Sequence, residues 1–463
     1  MRETLLAIAE SWCEQENHLS PISELIAWIR ERNQNVAVEI HKTTFPENGF
    51  WFYDQEEGCI RNQSRSFFRI TGYRQSQEGK LIFSQPIILQ EEIGYLGILC
   101  QEIGGVMHFL MQAKIEPGNV NKIQISPTIQ ATKSNFMRKH GGAAPPYLEY
   151  FLNARKYEII VDQIQSEQSS RFYKKRNRNI ILRVQEEIPV LPSHRWMTLG
   201  QIKQLMRVDN LVNMDTRTVL SCIPYYKINL SIQQQRRLLD KFSDKSLFRS
   251  VFVGETGNPL PGIYQFINNW KMFSETERQL LPLHELNDWE MRDGELICKH
   301  PYPFKVIYCD IEIEGREVKH WAQPLFEATG IATFGLICCE QESVLKFLVK
   351  AMPEAGCFDE VELGPTIQRE ADAPYKTDNA VESFFSERLA QKKGILYDHL
   401  LSEEGGRFYH EQNRNVLLKV KEDELPELPE GYFLLDYRTL NELVQINNTL
   451  NIQLRNLLSL LEA

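Results

Sequence analysis

Four polar residues that suit acid–base or anion chemistry occur in one copy of an internal repeat and are missing from the other. Three of them are replaced 238 positions later, as follows: Lys114 by Met352, Asn119 by Cys357 and Ser126 by Gly364. The fourth, His140, stands in a His-Gly-Gly string without a counterpart near residues 375–380. A lysine can donate to an enolate or phosphate oxygen, and a histidine titrates near neutral pH. We therefore predict that the first copy holds the working site.

Other polar residues recur in both copies. The pairs are Arg171 and Arg407, Tyr173 and Tyr409, Asn177 and Asn413, Asn213 and Asn451, and Arg217 and Arg455. Retention in both copies fits either nucleotide binding in two pockets or a shared structural network. For Arg171 we favour binding, because a planar guanidinium matches phosphate oxygens. Asn213 and Arg217 either contact a base or phosphate, or cap the last helix.

Several candidates also have a structural interpretation. Lys114 is equally interpreted as a solvated strand lysine, and His140 as a surface histidine in a loop. Glu116 recurs as Glu354 in the copy that we predict to be inactive, which favours a role in a turn. Trp196 is either a stacking partner for a base or a core tryptophan before a helix.

The repeat itself predicts a duplicated domain. Residues 166–182 read SEQSSRFYKKRNRNIIL, and residues 402–418 read SEEGGRFYHEQNRNVLL. The spacing of 236 to 238 residues persists through most of each copy, and it is far longer than a solenoid unit. We predict a first domain over residues 1–225, a polar connector over 226–257 and a second domain over 258–463.

The elements that must position these residues follow an α+β pattern. We predict opening helices over 23–31 and 263–273, a hairpin of strands 94–103 and 106–115, a strand over 122–126, a helix over 146–154, a strand over 179–184, and helices over 199–207 and 215–223. A terminal helix is predicted over 454–461, where apolar positions beyond one stripe make it a candidate for a dimer interface. Period-two alternation places Lys114 on the polar face of the hairpin, with Gln112 and His108. It also turns Gln124 and Ser126 outward, on a face where the second copy has carboxylates.

Composition excludes several functional classes. The 463 residues include 52 basic and 62 acidic residues, so a broad electrostatic grip on nucleic acid or on an anionic membrane is not expected. We predict a soluble cytoplasmic protein, because the sequence starts without the features of a signal peptide and has no apolar run of 18 residues. The nine cysteines form no C-x-x-C pair and are interpreted as free, buried thiols. Common hydrolase and phosphate-loop motifs are absent.

Longer strings of the sequence closely resemble the NDP-hexose 2,3-dehydratase family over nearly the whole chain. They are QAKIEPGN at 112–119, SPTIQAT at 126–132, SNF at 134–136, HGG at 140–142, YLEYF at 147–151, WMTL at 196–199 and SEEGGRFY at 402–409. The resemblance implies two tandem Nudix-like α/β/α domains in a homodimer. One nucleotide-sugar pocket would be catalytic and the other a remnant of the duplication. The Nudix box G-x5-E-x7-R-E-x-x-E-E-x-G is absent, so Mg²⁺-dependent pyrophosphate cleavage is not expected.

The implied reaction eliminates the C-2 hydroxyl of dTDP-4-keto-6-deoxy-D-glucose and gives a 3,4-diketo-2,6-dideoxy sugar nucleotide for deoxysugar biosynthesis and natural-product glycosylation. No cofactor or metal is implied, and a separate NADPH-dependent 3-ketoreductase would consume the product. The alternative is a protein that binds nucleotide sugars without catalysis, which the degenerate second copy would suit.

Residue by residue, the resemblance carries over as three groups. The predicted catalytic residues are Lys114, His140, Tyr173 and Glu116. The predicted substrate-binding residues are Gln112, Asn119, Ser126, Thr128, Gln130, Asn135, Arg171, Asn177, Trp196, Asn213 and Arg217. The predicted second pocket comprises Arg407, Tyr409, Asn413, Asn451 and Arg455.

Overall fold

Two copies of the same series of helices and strands form the chain, which confirms the α+β class and the duplication. The computed structural model describes residues 2–16, 19–45, 49–136, 144–254, 257–314, 318–372 and 379–463. His140 lies outside the described residues, as does the side chain of Asn135.

Within its described residues, the first repeat contains two opening helices, twelve strands and four further helices. In chain order they are α1 (Arg2–Trp12), α2 (Ile22–Gln34), β1 (Val38–Thr43), β2 (Trp51–Asp54), β3 (Cys59–Asn62), β4 (Arg69–Gln77), β5 (Lys80–Leu89), β6 (Tyr95–Ile103), β7 (Val106–Ile115), β8 (Ile123–Ser126), β9 (Ile129–Ala131), α3 (Lys133–Phe136), α4 (Leu148–Leu152), β10 (Glu158–Ser166), β11 (Arg176–Arg183), β12 (His194–Met197), α5 (Leu199–Leu205) and α6 (Met214–Ser221).

A helical connector and the second repeat follow. They comprise α7 (Ile232–Lys241), α8 (Lys245–Phe252), α9 (Leu260–Phe273), β13 (Thr276–Leu281), β14 (Trp289–Arg292), β15 (Glu295–Cys298), β16 (Phe304–Ile313), β17 (His320–Ala328), β18 (Ala332–Gln341), β19 (Val344–Pro353), β20 (Val361–Gly364), β21 (Ile367–Arg369), α10 (Ala380–Ala390), β22 (Ile395–Ser402), β23 (Phe408–Tyr409), β24 (Gln412–Val420), β25 (Tyr432–Asp436), α11 (Tyr437–Leu443) and α12 (Ile452–Ser459).

Each repeat is centred on a seven-stranded sheet. In the first, the order is β10-β11-β6-β7-β12, with β8 on β7 and β9 on β6; the second is β20-β19-β18-β24-β22, with β21 on β18 and β25 on β19. The predicted hairpin is confirmed, since β6 and β7 are antiparallel with Ile103 opposite Val106. Met107, Phe109 and Met111 of β7 are buried in the largest core cluster.

The two smaller sheets join the repeats by exchanging strands. Strand β1 of the first repeat pairs along β16 of the second, and β13 of the second pairs along β4 of the first. The remaining members are β14, β15, β17 and β23 in one sheet, and β2, β3 and β5 in the other. Every smaller sheet therefore contains backbone from both copies, and the aromatic residues on these sheets form one shared cluster.

Three sequence-based expectations need correction. Gln124 and Ser126 are buried instead of facing outward, because Gln124 Nε2 donates to Ser402 Oγ of the other repeat at 2.8 Å. The connector is not wholly polar, since α8 is an amphipathic helix whose apolar residues join the core. The terminal helix, predicted over 454–461 and a candidate for a dimer interface, is buried inside the chain, where α12 packs against α6. Among the described residues, no helix is long and apolar enough to cross a membrane.

Candidate active site

A cavity of about 450 Å³ opens at one end of the seven-stranded sheet of the first repeat. Lys114 lies near the C-terminal end of β7, and Glu116 lies in the turn that follows. Gln130 comes from β9, and Asp215 from the first turn of α6, which begins after its N-cap Asn213. Side chains that are far apart in sequence meet here because β6, β7, β9 and β11 each have one terminus at this end of the sheet.

A chain of hydrogen bonds fixes the floor of the cavity. Asn213 Nδ2 donates to Gln130 Oε1 at 3.1 Å, and Gln130 Nε2 donates to Glu116 Oε1 at 3.0 Å. Lys114 Nζ lies 3.4 Å from the same Glu116 oxygen and donates to the carbonyl of Gln130 at 3.1 Å. Asn213 also donates to Ser126 Oγ at 2.9 Å. The orientations of Lys114 and Glu116 are thus set before any ligand arrives.

Two further carboxyl groups at this cavity hold protons more firmly than usual. Burial raises the pKa of Asp215 well above its ordinary value, and the nearby Glu167 and Glu404 raise it further. Burial, with the neighbouring Glu116, raises the pKa of Glu404 to about 7. Asp215 Oδ2 is buried and has no hydrogen-bond partner among the described residues. A buried carboxylic acid with a free oxygen in a cavity is suited to donate a proton.

The cations of the cavity sit beside these acids. Burial lowers the pKa of Lys175 to about 8, and Lys175 Nζ donates to Asn177 Oδ1 at 3.0 Å. Asn177 in turn donates to Glu167 Oε1 at 2.8 Å, and burial raises the pKa of Glu167. Arg407 of the second repeat also lines the cavity, stacked 4.2 Å from the ring centroid of Phe68. The site therefore combines cations and acids within one enclosed space.

Aromatic side chains, which we call the aromatic rim, line part of the cavity, and they include Trp51, Phe68 and Trp321. Trp51 and Phe68 lie with ring centroids 4.6 Å apart. In the same lining, Trp321 Nε1 donates to Gln323 Oε1 at 2.9 Å, and Gln323 Nε2 donates to the Gly406 carbonyl at 2.8 Å. Apolar faces of this kind suit a nucleobase or sugar ring. Among the described residues, histidine, cysteine, aspartate and glutamate form no group of three placed to hold a metal ion.

Each repeat inserts a loop into the site of the other. Gly118 N donates to Gly405 O at 2.7 Å, and its counterpart Gly356 N donates to Ser169 O at 2.7 Å. A Cβ atom at Gly118 would lie 1.6 Å from the Phe408 carbonyl oxygen, so only glycine allows this approach. The loop of the second repeat that carries Glu404 and Arg407 consequently lies in the first site.

This exchange changes the predicted assignments of the two arginines. Arg407, predicted for the second pocket, lines the first cavity. Arg171, predicted for the first site, lies against the second repeat, where it pairs with Glu370 at 2.9 Å and stacks on Phe304. Arg217 and Arg455 are buried clamps between the repeats, since Arg217 Nη2 donates to Ser402 O at 2.7 Å and Arg455 Nη2 to Ser166 O at 2.5 Å.

The other predicted residues divide by position. Those that line the cavity are Lys114, Glu116, Gln130 and Asn177, whereas Asn213 and Ser126 support the floor from behind. Trp196 is packed in the apolar core with Leu110 and Ile180. Thr128 accepts the Leu99 N–H inside the sheet at 2.9 Å. Asn119 closes its own turn by donating to Lys122 O at 2.9 Å.

The remaining predicted residues lie in strands or behind the second site. Gln112 stands opposite His194 and Ser126 in the sheet. Tyr173 packs 6.2 Å from Tyr73, and Tyr409 stacks on His410. Asn413 bonds Glu403, and Asn451 donates to Gln368 Oε1 at 2.9 Å.

Sequence reasoning missed Glu167, Lys175, Asp215 and Glu404, as well as the aromatic rim. A signal for two of them was present in the repeat, because Lys175 and Asp215 are replaced by Glu411 and Gln453 in the second copy. Glu404 also differs between the copies, since Gln168 is its counterpart, but its position in the first site depends on the exchanged loop.

Comparisons with known proteins agree with this architecture. The NDP-hexose 2,3-dehydratase family model matches twice, over residues 22–223 and 261–461. A protein named dTDP-4-dehydro-6-deoxy-alpha-D-glucopyranose 2,3-dehydratase from Saccharopolyspora spinosa is 36% identical over 452 residues, which is 96% of this chain and 92% of the relative. Proteins of the same name from Streptomyces violaceoruber (36% identity, 94% of this chain and 95% of the relative) and Amycolatopsis orientalis (32% identity, 94% and 89%) are also similar. The chain belongs to the NDP-hexose 2,3-dehydratase family.

Proposed function

We propose that this protein is a hydro-lyase that removes the C-2 hydroxyl of dTDP-4-keto-6-deoxy-D-glucose. The observation that supports this most is the cavity of the first repeat, where an ion-paired lysine and glutamate lie with an aspartic acid whose pKa is raised by burial. A 4-keto sugar needs a base at C-3, a donor for the enolate oxygen and an acid for the leaving hydroxyl. The names of the relatives supply the substrate.

The residues divide into three roles. The carboxylate of Glu116 takes the C-3 proton, and the electron pair moves into an enolate whose oxygen is on C-4. Lys114 stabilises that enolate with a charged hydrogen bond. The C-4 carbonyl then reforms, a double bond forms between C-2 and C-3, and the C-2 hydroxyl leaves as water with the proton of Asp215. The enol at C-3 takes a proton at C-2 and becomes the 3,4-diketo product.

A coupled assay tests the function. Incubation with dTDP-4-keto-6-deoxy-D-glucose, an NADPH-dependent 3-ketoreductase and NADPH should yield a 2,6-dideoxy sugar nucleotide and consume NADPH. Recovery of unchanged substrate would contradict the proposal. The competing function, binding without catalysis, predicts that the C-3 proton does not exchange with deuterated water even when the nucleotide sugar is bound.

Further parts of the proposal rest on the family resemblance. Each repeat is taken as a Nudix-like domain without its Mg²⁺-binding glutamates. Residues 1–225 form the catalytic repeat, residues 258–463 form the repeat with the vestigial pocket, and residues 226–257 connect them. We assign a homodimer in the cytoplasm, and a downstream 3-ketoreductase in deoxysugar biosynthesis for natural-product glycosylation. Light scattering coupled to size-exclusion chromatography tests the dimer.

A further inference from the structure

The second site contains an arginine in the same setting as Arg407, but with an anion already bound to it; this is Arg171, which the first repeat contributes. Arg171 stacks on Phe304 at 4.3 Å, as Arg407 stacks on Phe68 at 4.2 Å. The two loops that carry these arginines are held alike, because Gln85 donates to Ser170 O and Gln323 donates to Gly406 O, both at 2.8 Å. The environments of the two guanidinium groups can therefore be compared directly.

The two environments differ at one strand end. In the second repeat, Glu370 follows β21, and its carboxylate accepts from Arg171 Nη2 at 2.9 Å and from Ser170 Oγ at 3.4 Å. The first repeat has Thr132 at this position, directly after β9. Thr132 lines the cavity.

The consequence is a difference in charge compensation. Among the described residues, Arg407 donates hydrogen bonds only to neutral oxygens, Gln90 Oε1 at 3.3 Å and Gly406 O at 2.8 Å. Glu404, Glu116 and Glu92 are near enough to act on its charge, but the hydrogen bonds of Arg407 do not go to these carboxyl groups. Arg171 is instead paired with a carboxylate, and its side chain is only 2% exposed. A partly exposed guanidinium in a cavity retains the capacity to bind a planar or tetrahedral oxyanion.

We infer that Glu370 occupies, in the second repeat, the position that a phosphate of the sugar nucleotide takes against Arg407 in the first. The residue after β9 or β21 then determines which site binds the ligand. Threonine leaves the guanidinium group available to a phosphate, whereas glutamate pairs with the guanidinium group as an internal anion. The inference rests on the proposed nucleotide-sugar substrate.

Two other replacements favour the same outcome in the second repeat. Lys114 and Lys175 of the first site correspond to Met352 and Glu411. The second site thus lacks two cations of the first, which removes attraction for a pyrophosphate there. We expect the whole protein to bind one dTDP per chain.

Calorimetric titration of the full-length protein with dTDP tests the inference. Thr132→Glu should weaken dTDP binding by about tenfold or more, because it supplies Arg407 with a competing carboxylate. The matched variant Thr132→Gln introduces a side chain of the same size as glutamate without the charge, and it should bind dTDP at least about threefold more tightly than Thr132→Glu does. Thermal unfolding of both variants checks that the fold is intact.

The outcomes separate the inference from the proposed function. Two dTDP molecules per chain, or unchanged affinity in a folded Thr132→Glu variant, would overturn the inference. Equal weakening by Thr132→Glu and Thr132→Gln would also overturn it, because size and not charge would then be responsible. A protein that binds one dTDP as described but never dehydrates the sugar would refute the function alone. Failure to bind any dTDP would refute both.

Discussion

The two sites share one framework and differ in the charges placed on it. The chain from Asn213 through Gln130 to Glu116 recurs as Asn451, Gln368 and Glu354, and Gln368 donates to Glu354 Oε1 at 2.7 Å. The framework therefore belongs to the fold, whichever chemistry it carries.

The charges attached to that framework have diverged. Burial raises the pKa of Glu354 to about 7, and Met352 stands where Lys114 pairs with Glu116. Glu403 and Glu411, with pKa values raised by burial to about 8 and about 7, add further acids. The second site therefore has acidic side chains with raised pKa values, and it lacks the lysine of the first site. The comparison teaches that function in this chain lies in a few charges and not in the geometry that supports them.

The largest effect is expected from Asp215→Asn. This change keeps the size of the side chain but removes the proton that the leaving hydroxyl needs, so turnover should fall by about 10²- to 10⁴-fold. Exchange of the C-3 proton with deuterated water, followed by NMR, should persist because Glu116 is intact. The matched change Gln453→Asn in the second repeat should leave turnover near that of the original protein. Loss of exchange together with turnover would contradict the assignment of Asp215 as the acid.

Lys114→Met, which copies the second repeat, should reduce turnover by about a hundredfold because the enolate loses its charged donor. Unlike Asp215→Asn, it should slow C-3 exchange as well, since exchange passes through the same enolate. Met352→Leu is the control and should be nearly silent. If Lys114→Met and His140→Ala both leave turnover intact, the working site is not the one in the first repeat.

Gly118→Ala and Gly356→Ala test the exchanged loops as a pair. Either Cβ atom would lie 1.6 Å from a carbonyl oxygen of the opposite loop, Phe408 or Phe172 respectively. Both variants should lose about 1–3 kcal/mol of stability in urea unfolding. Turnover should fall further in Gly118→Ala, because the loop that it displaces carries Glu404 and Arg407. Equal turnover in two folded variants would show that these two side chains are dispensable.

The smallest effect concerns pH and Glu362. Burial raises the pKa of Glu362 from 4.5 to about 8, so the folded chain keeps a proton that the unfolded chain has released. Its contribution to stability is complete below pH 4.5 and is lost as the pH rises through about 8. Urea unfolding from pH 5 to 8 should therefore show a declining free energy of unfolding. Glu362→Gln, which copies Gln124 of the first repeat, should flatten that decline, whereas Gln124→Glu should steepen it.

The motifs of the family resemblance predicted several residues of the first site because their signal is local, and comparison of the copies singled out one of these, Lys114. Lys114, Glu116, Gln130 and Asn177 stand at strand ends that periodicity can locate, and the structure places all four in the cavity lining. Trp196 could not be assigned in this way, because its neighbours in the sequence do not distinguish a tryptophan that stacks on a base from one that packs in the core. In the structure it packs in the core with Leu110.

The partner of each loop could not be predicted. The contact between Gly118 and Gly405 joins residues that are distant in sequence, and the retained arginines look the same whichever site they enter. Alternation predicts an outward face for Gln124 for a related reason. It distinguishes the two faces of a strand, but it does not show that the second repeat covers one of them.

The crossed loops also constrain how such a chain could have arisen. A single repeat would hold Lys114 and Asp215 but would lack the arginine and glutamate that enter from the opposite copy, so half of this protein would have no complete site. Two separate halves would meet this need only as a twofold symmetric pair, with each molecule completing its neighbour and with both sites identical. Joining them in one gene removed that symmetry requirement, and from then on a mutation in one half no longer had to be tolerated in both sites at once.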